Sequence, residues 1–202
     1  MNTSKIIGLV LLLTLFSMSS CKKKIKGCMD PKSTSYNSKA TEDDGSCVYT
    51  KTLGESFGGG LIFYIDASGQ HGLIAAPSDQ GSSRLWLNSL IIATGATYTE
   101  VGKGQSNTNS IISMQGAGTY AASVSNDLVL GGYSDWFLPS RDELALMYTN
   151  LFTKNLGGFA YARYWSSSEV NINDAICIEF NSGVVSPINK NTAISVRSVR
   201  AF

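Results

Sequence analysis

The sequence predicts an α+β fold with an antiparallel sheet, on three observations. Short apolar runs bounded by Gly, Asn and Asp recur near both ends of the main part of the chain. Two segments between them carry helical spacing. The order is therefore strands, helices, then strands again.

Leu61 to Ile65 reads as a buried strand, Ala67-Ser-Gly-Gln-His-Gly72 as a turn, and His71-Gly-Leu-Ile-Ala-Ala-Pro77 as the returning strand of a hairpin. Gly58 to Gly60 precede the first strand, but no Gly-Lys-Ser/Thr follows, which excludes a phosphate loop. Residues 102–112 are polar and rich in Gly and Asn, and read as a loop. Gly118 to Leu128 predicts the first helix, with Tyr120, Ala121, Val124 and Leu128 on one face. The second helix is better signalled. Ser140 and Glu143 form a capping box just after Pro139, and Leu144, Met147, Tyr148 and Leu151 make the apolar stripe. Tyr161 to Ser167, Ala175 to Phe180, Gly183 to Ile188 and Ile194 to Val199 complete the pattern as short strands.

The amino terminus predicts export. One Lys precedes an apolar run from Ile6 to Phe16, too short to span a bilayer, which takes ~20 residues, but suited to a signal peptide. Cys21 follows Ser19 and Ser20 where a lipoprotein signal places its acylated cysteine, although Met18 stands where Leu is usual. The chain divides into a lipoprotein signal peptide (1–20), a basic tether (21–26), a cysteine-bracketed motif (27–49), a linker (50–57) and the main domain (58–202). The expected location is the bacterial cell envelope, most simply the outer membrane. There the lipid anchor holds the chain to the membrane, and Lys22, Lys23, Lys24 and Lys26 face anionic headgroups or solvent.

Export also predicts the state of the cysteines. Outside the cytoplasm Cys28 and Cys47 should be oxidised to each other, and closing that loop contributes ~3 kcal/mol. Cys177 lies in the strand-like run Ala175-Ile-Cys-Ile-Glu-Phe180 and reads as a small buried hydrophobe. The segment between Cys28 and Cys47 has too few apolar residues for a core. It resembles a motif of exported Bacteroidetes-type proteins, Gly-Cys-x-Asp-Pro, Tyr-Asn, Asp-Asp-Gly-Ser-Cys. Asp30, Asn37, Asp43 and Asp44 offer oxygen ligands of the kind calcium prefers, so calcium is the candidate cofactor. The same residues are ordinary turn formers, and both readings stand.

Sixteen basic against fifteen acidic residues leave a net charge of +1, with the basic residues outside the tether scattered. A nucleic-acid partner, which needs a concentrated basic face, is excluded.

The main domain resembles the Lcl C-terminal domain family, named for a collagen-like adhesin of Legionella. The matching stretches are Gly-Gly-Leu-Ile-Phe-Tyr-Ile-Asp66, His71-Gly-Leu-Ile-Ala-Ala-Pro-Ser-Asp79, Gly131-Gly-Tyr-Ser-Asp-Trp-Phe-Leu-Pro-Ser140, Tyr164-Trp-Ser-Ser-Ser-Glu169 and Val196-Arg-Ser-Val-Arg200. Ile176 departs from the family, which often carries Trp there. The resemblance implies a C-type-lectin-like fold with two helices on small antiparallel sheets. It also implies an extracellular or envelope setting, and a trimeric relative makes a homo-oligomer an expectation.

A binding module for a glycan or a surface protein follows. Trp86, Trp136 and Trp165 could stack on sugar rings, and Asp135, Glu169 and Asn171 could bond hydroxyls. Core packing is the competing reading for each Trp. Arg197 and Arg200 are expected to turn inward onto Asp142, Glu143 or Glu169. An enzyme is not expected: His71, the single histidine, sits in a turn, Ser166 lacks a nucleophile elbow, and Glu169 with Asp174 has no pocket signal. A non-catalytic docking component of the envelope is the alternative to glycan binding.

Overall fold

The computed structural model describes residues 23–202. The expected signal peptide (1–20) and the expected lipidation site Cys21 lie outside the described residues. Two compact units divide at Tyr49 and Thr50.

In the first unit, Cys28 and Cys47 are joined by a disulfide, with their Cα atoms 4.7 Å apart. Short turns fill the space between them, and backbone bridges join Lys26 to Glu42 and Cys28 to Tyr36. Ser33 ties the two ends of the loop together: its hydroxyl donates to the Val48 carbonyl and accepts from the Val48 N–H.

In the second unit, β1 (Ser56–Phe57), β2 (Gly60–Ile65), β3 (Gly72–Ala75) and β9 (Val199–Ala201) form one antiparallel sheet in that order. The other sheet runs β4 (Gly81–Arg84), β8 (Ile194–Val196), β5 (Arg163–Glu169), β6 (Asp174–Glu179) and β7 (Val185–Asn189), with β5 and β8 parallel. The helices are α1 (Gly104–Gln115), α2 (Ala121–Asn126) and α3 (Arg141–Asn150). The hairpin stands as expected. The linker is shorter than expected, because Ser56 and Phe57 already pair with β2. Gly60 permits the close approach of β2 to β3: a Cβ there would lie 2.1 Å from the Ala75 carbonyl oxygen.

Helix α3 begins at the expected box, with Ser140 accepting from the Glu143 N–H and Glu143 accepting from the Ser140 N–H. Its Leu144, Met147 and Leu151 enter a core with Phe63, Phe137, Tyr164 and Phe180. A second core gathers Trp86, Ile111, Tyr120, Leu138, Trp165 and Cys177, and a third gathers Ile62, Ile74, Ala76 and Trp136.

Two expectations fail here. The stretch 102–112 is not a loop but most of α1, so three helices pack on the sheets rather than two. Helix α1 has no side-chain cap and no acidic first turn. Its buried face is polar and bonds to neighbouring backbone. Asn107 donates to the Tyr98 carbonyl, Thr108 exchanges bonds with Leu138, and Gln115 donates to the Leu90 carbonyl. The cap comes from another helix: Glu143 also accepts from the Gly102 and Gly104 N–H groups. One carboxylate thus serves two helix starts, where the dipoles favour a negative charge. Burial nevertheless pushes its pKa above the usual carboxylate value, and the backbone N–H groups of Ser140, Gly102 and Gly104 only partly offset this. The run Ile194 to Val199 is likewise two strands, broken at Arg197 and Ser198 where the chain leaves one sheet for the other.

Candidate functional site

The residues that looked most like a ligand face are structural. Trp86, Trp136 and Trp165 are all fully buried. Trp86 donates to the Ser166 carbonyl and Trp165 to the Arg84 carbonyl, at 2.8 and 2.9 Å. Trp136 packs over Gly60 among Ile62, Ile74 and Ala76. None offers a ring face to a sugar.

Their polar neighbours are engaged too. Glu169 is buried and accepts from the Thr94 and Gly95 N–H groups and from Lys190 Nζ. Lys190 in turn lies 4.5 Å from the centre of the Trp86 ring. Asp135 takes a two-pronged bond from Arg200, at 2.7 and 2.8 Å, and this partner holds its carboxyl below the usual range. Asn171 is exposed, but its side-chain oxygen accepts from the Asn173 and Asp174 N–H groups and forms the β5–β6 turn. Ser166 is buried and donates to the Ile176 carbonyl.

The calcium set behaves the same way. Asp30, Asn37, Asp43 and Asp44 each accept from the backbone N–H two residues on, at Lys32, Lys39, Gly45 and Ser46. Among the described residues no three His, Cys, Asp or Glu side chains gather to hold a metal ion. Each of the four side chains thus acts as a turn former.

Both C-terminal arginines turn inward as expected, but onto other partners. Arg197 is fully buried and meets Asp79 at 2.7 Å, while Arg200 meets Asp135. Arg197 also donates to the carbonyls of Ala76 and Gly157, and its guanidinium lies 3.9 Å from the centre of the Phe159 ring. Tyr164 donates to the other Asp79 oxygen. Burial, then the Asp79 charge, pushes the Tyr164 hydroxyl up to about 12. This node fixes the loop Ser78 to Gln80.

That loop forms one wall of an open cleft of about 480 Å³, whose opposite wall is the segment Gly118 to Leu130 around α2. A smaller hollow of about 330 Å³ adjoins it through Gly118, Ser123 and Asp127. Ser78, Thr119 and Asp127 are exposed on the rim, and Val129 beside them is 73% exposed. Among the described residues the Ser78 and Thr119 hydroxyls make no hydrogen bond, and Asp127 accepts only from the neighbouring Asn126 amide. Val124 and Leu128 supply the apolar part of the lining. Sequence reasoning did not select these residues, although Ser78 and Asp79 end one of the quoted motifs.

Residues 78–200 match the model of the Lcl C-terminal domain. The chain belongs to the Lcl C-terminal domain family. The matched span opens at the cleft loop, so β1 to β3 precede it within the same compact unit. Among solved structures, the chain is similar to a fimbrial protein from Bacteroides ovatus ATCC 8483, with TM-score 0.48 and 15% identity. The likeness covers 77% of this chain and 46% of that one, so the chain spans less than half of the fimbrial protein. No curated protein matches the sequence.

Proposed function

We propose that this chain is a lipid-anchored envelope protein, held at Cys21, whose C-type-lectin-like domain is a non-catalytic binding module for an extracellular glycan. The single observation that carries the reading is the cleft between Ser78–Gln80 and α2. Its volume of about 480 Å³ lies within the range of small-ligand sites, ~300–1,000 Å³. Two hydroxyls and a carboxylate there retain hydrogen-bonding capacity beside apolar Val124, Leu128 and Val129, the mixture a sugar needs. Arg197 and Tyr164 hold one wall rigid, which lowers the ordering cost of binding. Weak single-site affinity would be raised by a homo-oligomer presenting several clefts.

The test is a glycan array probed with the full chain and with Asp127→Ala and Thr119→Ala. Specific hits that both substitutions weaken support the reading. A blank array, or hits that neither substitution changes, sinks it, and protein capture from envelope extracts would then favour a docking role.

A further inference from the structure

A second hollow, of about 210 Å³, lies away from the cleft lining and is bounded by Phe152, Asn155, Leu156, Gly158, Phe159 and Tyr161. No lining residue carries a formal charge, which disfavours an ionic ligand. Tyr161 is 78% exposed, the most open of the large apolar side chains in the described residues. An edge contact with Phe152, centroids 5.3 Å apart, supports its ring and leaves most of its surface to solvent. Asn155, in left-handed backbone at φ 57°, and Tyr161 make no side-chain hydrogen bond to another described residue. The loop is clamped from within: Arg197 donates to the Gly157 carbonyl and stacks on Phe159. An exposed aromatic face beside a free amide, on a rigid loop, suits a neutral sugar ring. The volume is below the ~300 Å³ floor of drug-sized sites, so it admits one ring and not a chain.

We propose that this hollow is a second subsite for a neutral pyranose, with the ring lying on Tyr161 and Asn155 bonding its hydroxyls. The proposal rests on the domain being a glycan-binding module, and not on the cleft being the place where it binds.

The experiment is amide chemical-shift mapping of the full chain in a sugar-free detergent, titrated with the methyl pyranosides of glucose, galactose and mannose. Saturable shifts across residues 152–161 are expected with at least one of them. Tyr161→Ala should weaken that binding about tenfold, whereas Tyr161→Phe keeps it within about threefold. Because Tyr161 is exposed, an unchanged spectrum elsewhere shows that the variant is folded. Amides 118–130 report the cleft independently, and Asp127→Ala should silence those alone. Shifts confined to 118–130, no saturable shifts at all, or a midpoint at 152–161 that Tyr161→Ala leaves unchanged would each overturn the subsite.

Discussion

In Tyr164–Glu169 six consecutive side chains are buried and each polar one has a partner, whereas along Asn126–Leu130 only Leu128 and Leu130 pack partly inward, and Asn126, Asp127 and Val129 are exposed. Both stretches mix apolar and polar residues, and the first even carries the stronger sequence signal. The difference lies in what the polar atoms already hold. Ser167 and Ser168 donate to the carbonyls of Pro139 and Tyr98, and Trp165 donates to Arg84. A buried polar group must be satisfied inside the fold, so a dense buried network has nothing left for a ligand. On the cleft rim the hydroxyls of Ser78 and Thr119 have no such obligation.

If the first stretch is scaffold, breaking it should cost stability before anything else. The largest effect is expected at Lys190→Met, which leaves the Glu169 carboxylate buried without its cation. Removing one partner of a buried pair costs about 3–5 kcal/mol. Glu169→Gln with Lys190→Met should recover much of that, by chemical denaturation. Next comes Glu143→Gln, where an amide cannot accept from the Ser140, Gly102 and Gly104 N–H groups together, at about 1–3 kcal/mol.

The same substitution carries a pH signature. The Glu143 pKa is raised in the fold above its ordinary 4.5, so the native state holds more protons than the unfolded chain between the two values. The stability it contributes is present below 4.5 and is lost as pH rises through the folded value. The deficit of Glu143→Gln relative to the parent should therefore shrink as pH is raised across that window, read as denaturation midpoints at several pH values. Asp135→Asn should matter least among the polar pairs. Its carboxylate is half-exposed and the amide keeps one acceptor for the buried Arg200, so the loss should be about 1 kcal/mol.

How far the sequence carried depends on where each element gets its stability. The β2–β3 hairpin and α3 announce themselves, because alternation, Gly-rich turns and the Ser140–Glu143 box are local signals. Helix α1 has none, since Asn107, Thr108 and Gln115 bond to backbone at Tyr98, Leu138 and Leu90. Only the spacing of Asn107, Thr108, Ile111 and Gln115 on one face hinted at it. The partners of Arg197 and Arg200 were equally out of reach, because Asp79 is 118 residues away from Arg197 and the pairing exists only after the sheets meet. The Trp residues were ambiguous for a different reason. A large ring beside small polar residues describes a sugar platform and a hydrogen-bonded core edge alike, and only burial separates them.

On this reading the ligand face lies on the α2 cleft and the Tyr164–Glu169 region is scaffold. Amide shift mapping of the full chain with the best array hit tests it most directly. Saturable shifts are expected at 78–80 and 118–130, lost in Asp127→Ala, with residues 164–169 unmoved. Shifts centred on 164–169, or shifts at 118–130 that Asp127→Ala leaves intact, would contradict it.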